Sequence, residues 1–69
     1  MDITYSPVRV ATRVRNLQPG DQLGSGFTVQ RIYAISAAET EVVGSYPGKA
    51  PLVKIWGSST TVRVTRARN

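Results

Sequence analysis

Apolar and basic residues alternate from Val8 to Arg15. Val8, Val10, Thr12 and Val14 share one parity; Arg9, Ala11, Arg13 and Arg15 share the other. Successive side chains of an extended strand point to opposite faces. The pattern therefore predicts a strand over about Val8–Val14, with one face against a core and the other carrying Arg9, Arg13 and Arg15. The last segment, Thr60 to Arg66, repeats the beat: Val62 and Val64 oppose Arg63 and Thr65.

Between these ends the chain is punctuated by glycine and proline. Gln18-Pro19-Gly20-Asp21 has the signature of a type II turn, because Pro presets φ at the second position and Gly accepts positive φ at the third. Leu17 before it and Leu23 after it are expected to face inward, with a short strand or bulge at Gln22–Leu23 before the breaker Gly24-Ser25-Gly26. Phe27 to Ser36 is the longest strand candidate. Its parity breaks midway, and a β-bulge at Gln30–Arg31 would let both Val29 and Ile32 face the core. Ser36-Ala37-Ala38-Glu39 reads as a hairpin connection into a strand over Thr40–Tyr46. Pro47-Gly48-Lys49-Ala50-Pro51 is a loop, since neither proline can donate to a ladder. Leu52 to Trp56 follows as a strand, stopped by Gly57-Ser58-Ser59.

A helical stripe of Ile32, Ile35 and Ala38 competes over Gln30–Val43. The β-branched density of that stretch and the want of a clear N-cap argue for strand. Five strand candidates at about 10-residue spacing, with Gly/Pro turns, predict an all-β fold: a small, strongly bent, five-stranded antiparallel barrel. Sixty-nine residues make a single domain, 1–69, with a modest core. Without cysteine or histidine, neither a disulfide nor a zinc site staples it.

Charge adds the first functional hint. Nine basic residues oppose four acidic ones, for a net +5. Six of the basic residues form two clusters, Arg9, Arg13, Arg15 and Arg63, Arg66, Arg68. If the first and last strands pair, the clusters merge into a surface for nucleic acid or another polyanion. The same charge also serves as a plain solvated surface. Of the aromatics, Phe27 is expected in the core. Trp56, Tyr46 and Lys54 form a second candidate set, for a partner, because Lys54 and Trp56 share a face.

Catalysis fails on inventory. No histidine can activate Ser25, Ser58 or Ser59. Glu39 and Glu41 read as a solvated hairpin edge, and Asp21 as a cap on the Pro-Gly turn. Gly24-Ser25-Gly26 lacks the remainder of a phosphate loop. The expectation is a non-catalytic protein with no catalytic residues, metal, cofactor or small-molecule substrate. The N-terminus has no signal-peptide pattern and no segment has spanning length, so no membrane association and a cytoplasmic location are expected.

The stretch Val14-x-x-Leu17-x-Pro19-Gly20-Asp21 followed by Phe27-Thr28-Val29-x-x-Ile32 resembles the opening of SH3-like and Hint-type modules. It also resembles short basic β-barrel proteins of the kind encoded by actinobacterial phages. The likeness covers about residues 14–35. It implies a bent five-stranded barrel; the catalytic Cys and His of a Hint domain are absent, so self-splicing does not carry over. SH3-like barrels bind RNA, DNA, proline-rich peptides or their own copies, so fold alone does not choose a partner. Two roles are expected: nucleic-acid binding through Arg9, Arg13, Arg15, Arg63, Arg66 and Arg68, or protein interaction through Trp56, Tyr46 and Lys54. The second role takes the form of a phage-encoded adaptor or inhibitor of a host protein, in the host cytoplasm, or of a self-assembling structural piece.

Overall fold

A computed structural model describes residues 8–66. Arg68, one of the six arginines singled out above, lies outside the described residues. The described residues are all-β, in one antiparallel sheet of six strands rather than the five expected, because Gln22–Leu23 forms a strand of its own: β1 (Val8–Arg13), β2 (Gln22–Leu23), β3 (Thr28–Ala34), β4 (Glu39–Ser45), β5 (Leu52–Gly57) and β6 (Thr61–Arg66). Their order across the sheet is β1-β6-β2-β3-β4-β5, which leaves β1 and β5 at the edges. The segment Gln30–Val43 forms no helix; it is the β3–β4 hairpin.

The first and last strands do pair, in register from Val8↔Arg66 to Arg13↔Thr61. Val8, Val10 and Thr12 of β1 turn to the inner face, where Val62 and Val64 of β6 meet them. The predicted first strand is one residue too long. Its ladder ends at Arg13↔Thr61, because the partner strand turns at Thr60, and Val14–Asn16 winds into a 3-10 turn. The Val14 and Arg15 amides donate to the Thr60 and Ser58 carbonyls, at 2.9 and 3.1 Å, so this turn is sewn onto the β5–β6 connection.

The Pro19-Gly20 turn forms as its residues dictate. The Asp21 amide donates to the Gln18 carbonyl at 3.0 Å, and Gly20 sits at φ 94°, where a side chain would be strained. The bulge falls at Gln30, between the pairs Val29↔Gly44 and Arg31↔Val43. One extra residue flips the parity of β3, so Val29 and Ile32 both reach the interior while Tyr33 is turned out. The β3–β4 connection is tied by the Ser36 hydroxyl, which accepts from the amides of Ala38 and Glu39.

The core is Val14, Leu17, Phe27, Val29, Val42 and Val64, with Val10, Leu23, Ile32, Tyr46, Trp56 and Val62 packed around it. It also holds a hydroxyl pair. Thr40 and Ser58 are both buried, and their oxygens lie 2.8 Å apart. Thr40→Val strands the Ser58 hydroxyl without that partner, at an expected cost of about 1–3 kcal/mol. Adding Ser58→Ala should recover most of the loss, since neither side then holds an unpaired buried oxygen. Urea denaturation of both variants checks this; a double variant as unstable as the sum of two singles would refute the pairing.

Candidate functional site

The outer face divides into a basic half and an apolar half. On β1 and β6, Arg9, Ala11 and Arg13 project outward beside Thr65, Arg63 and Thr61. Arg63 stands opposite Ala11, which makes it the diagonal neighbour of both Arg9 and Arg13, at about 7–8 Å. Small Ala11 leaves the three guanidiniums room to converge. Among the described residues none of the three lies within ion-pair distance of a carboxylate.

The other two described arginines of the predicted set do not join this face. Arg15 sits in the 3-10 turn, exposed, where the strand parity that would align it with Arg13 has ended. Arg66 shares the inner parity of Val62 and Val64. It is spent on Asp21: its Nε donates to Asp21 Oδ1 at 2.9 Å and its Nη2 to Oδ2 at 2.8 Å. The Gln18 amide also donates to Oδ2, at 2.9 Å, so Asp21 does cap its turn as expected. Burial of Asp21 works to raise its pKa. The Arg66 fork, the Gln18 amide and the charge of Arg66 outweigh it and hold the carboxyl below the ordinary aspartate value. Arg66 is therefore a structural residue, and the signal for it was its parity with two valines.

A row of polar side chains crosses this part of the outer face, one per strand: Arg9, Thr65, Gln22, Thr28 and Ser45, each opposite the next. Because β2 is only two residues long, the sheet is indented beside it. A depression of about 90 Å³ lies there, lined by Arg9, Gln22, Gly24, Arg63, Val64 and Thr65. The sequence places Gln22 and Thr65 on strands but offers no signal for a site there; only the pairing of β2 with β6 brings them beside the arginines.

Trp56, Tyr46 and Lys54 are brought together, on the inner face. Tyr46 and Trp56 meet the Phe27 ring edge-on, with centroids at 5.4 and 5.9 Å. Lys54 Nζ lies 5.6 Å from the Phe27 centroid, 5.7 Å from Tyr46 and 6.0 Å from Trp56. The ammonium thus faces the negative π-faces of three rings, a cation–π arrangement. This cluster lines one open edge of the core, since β5 has no partner beyond it. The aromatics are consequently not interleaved with the arginines of β1 and β6.

The apolar half of the outer face is carried by β3, β4 and β5. Tyr33 flanks Glu41, which flanks Ile55; Arg31 flanks Val43, which flanks Val53. Tyr33, Val53 and Ile55 are each more than half exposed. Among the described residues no cluster of metal-ligating side chains forms, and no helix is long and apolar enough to cross a membrane. Comparison with protein-family models, with curated proteins and with solved structures finds no match to this chain.

Proposed function

We propose that the protein is a non-catalytic module that binds nucleic acid, or a like polyanion, through the outer face of β1 and β6. The observation carrying this reading is the convergence of Arg9, Arg13 and Arg63 on one face, without carboxylate partners among the described residues. Three uncompensated guanidiniums spaced along two paired strands match a run of backbone phosphates better than they match a protein core. The finer architecture belongs to the same proposal. The 3-10 turn sewn onto the β5–β6 connection and the one-sided core support a small SH3-like barrel, akin to the basic barrels of phages.

Fluorescence anisotropy with short DNA and RNA at low salt tests the function. Binding should be sequence-tolerant, and three phosphate contacts imply a log–log salt slope of about −2.1 for single strands to about −2.7 for duplex. Affinity should then drop roughly 20- to 40-fold between about 50 and about 200 mM salt. The triple variant Arg9→Ala, Arg13→Ala, Arg63→Ala should weaken every sequence alike. No binding at tens of micromolar protein would end this reading.

A protein-interaction role is the second reading. It is favoured by the exposed Tyr33, Val53 and Ile55 beside the unpaired edge of β5. Light scattering and capture of a defined partner separate it from the first, because that surface should hold its affinity as salt rises.

A further inference from the structure

The depression beside β2 has a chemistry of its own. Arg9 and Arg63 are diagonal neighbours on one side of it. Thr65, directly opposite Arg9, offers a hydroxyl, and Gln22, directly opposite Thr65 on the other side, offers an amide. Gly24 completes the rim without a side chain. Two guanidiniums, a hydroxyl and a carboxamide around one hollow are donors in excess of acceptors, and no carboxylate is among the lining residues. That donor set suits a tetrahedral oxyanion. At about 90 Å³ the hollow exceeds what one water needs by several-fold, against roughly 10–15 Å³ for a water. It admits a phosphate group.

We propose that this hollow is a phosphate seat: Arg9, Arg63, Thr65 and Gln22 together hold one backbone phosphate of the bound nucleic acid. Arg13, further along β1, then contacts a neighbouring phosphate. The proposal rests on the polyanion reading and sharpens it from a diffuse charged face to one seat with a defined donor set. A backbone phosphate carries no base identity, which makes the contact positional and sequence-neutral.

Gly24 makes the test clean. A Cβ there meets nothing within 4 Å, and its φ is not in the left-handed region, so a side chain at this position disturbs neither packing nor backbone. Gly24→Glu places a carboxylate at the rim of the seat. Gly24→Gln is the isosteric uncharged control, and Ala37→Glu, on the exposed β3–β4 connection, makes the same net-charge change elsewhere. Circular dichroism verifies that all three fold.

With a fluorescein-labelled single-stranded oligonucleotide, Gly24→Glu and Thr65→Val with Gln22→Ala should lose affinity, the first by roughly tenfold or more. Gly24→Gln and Ala37→Glu should lose little. Equal losses in Gly24→Glu and Ala37→Glu would overturn the seat while the polyanion reading stands. A wild-type protein that binds no oligonucleotide would remove both. Titration with inorganic phosphate separates the two sources of the anion. Amide shifts at Gly24 and Thr65 with free phosphate but no oligonucleotide binding would overturn the assignment to a nucleic-acid backbone.

Discussion

Gly44→Ala is expected to remove most of the stability of the protein, although it adds a single methyl group. Gly44 lies on β4 opposite Val29, at the point where the inner face of the sheet passes closest to Phe27. A Cβ at this position would run into the Thr28 carbonyl oxygen and stand 2.7 Å from carbons of the Phe27 ring. Neither neighbour has anywhere to go. The carbonyl belongs to the paired strand, and Phe27 is held by Tyr46, Trp56 and the rest of the core. Relief requires β3 and β4 to part, which sacrifices ladder hydrogen bonds as well as packing. Overpacking of this kind costs about 3 kcal/mol. A domain this small has a stability of only about 3–5 kcal/mol, so the loss is comparable to the whole. Gly24→Ala should do the reverse: no neighbour and no positive φ stand in its way, and it should stabilise by about 0.4–1 kcal/mol through the unfolded chain. Thermal and urea denaturation of the two variants check the contrast. Equal stabilities would mean that the close approach at Gly44 does not govern the fold.

Asp21→Asn is the second change with a large expected effect, and it carries a pH signature. Asp21 is buried and accepts three hydrogen bonds, two from Arg66 and one from the Gln18 amide. Its backbone adds two more ties, donating to Gln18 and accepting from Val29. One residue thus fastens the Pro-Gly turn, β3 and the end of β6. The amide replaces one acceptor oxygen by a donor facing a guanidinium, and it removes the countercharge of Arg66. Breaking a buried pair costs about 3–5 kcal/mol. Arg66 is 26 % exposed and can recover some hydration, so about 2–3 kcal/mol is expected.

The pH dependence follows from the lowered pKa of Asp21. In the unfolded chain the group takes up a proton near its ordinary value of 3.8; in the folded protein it does so only at lower pH. Between those two points the unfolded state binds more protons, so stability rises with pH. The contribution of Asp21 is therefore complete above pH about 4 and is lost as pH falls through the lowered folded value. Arg66 is pushed up, chiefly by its hydrogen bonds to Asp21, and stays charged throughout this range. Urea midpoints from acid to neutral pH should fall on the acid side in the wild type and be flatter in Asp21→Asn. An equally steep acid limb in the variant would assign it to other groups.

Much of the fold is legible along the chain because the signals are local. The alternation in β1 and β6, the φ demands of Pro19 and Gly20, and the broken parity of β3 each state a conformation within a few residues. Phe27 and the valines announce the core for the same reason. Gly44 was legible in principle, since a glycine inside a strand marks close approach of another group, but what approaches comes from Phe27, far along the chain. β5 defied its own pattern. Leu52-Val53-Lys54-Ile55-Trp56 offers Val53 and Ile55 as the natural inward pair, yet they face out while Lys54 and Trp56 face in. The indole has more surface to bury than either aliphatic residue, and Phe27 and Tyr46 provide the rings it packs against.

Period-2 patterning and turn chemistry act between near neighbours, so the order of residues alone specifies the longer strands, the turns between them, the basic outer face of β1 and the inward set of its valines. Tertiary structure alone decided which arginines share a surface. Pairing of β1 with β6 brought Arg63 between Arg9 and Arg13, the end of that ladder turned Arg15 away, and Asp21, 45 residues distant, claimed Arg66. Each of those outcomes depends on what lies across a strand pair or beneath a turn, and that neighbour is set by chain closure rather than by the residues on either side.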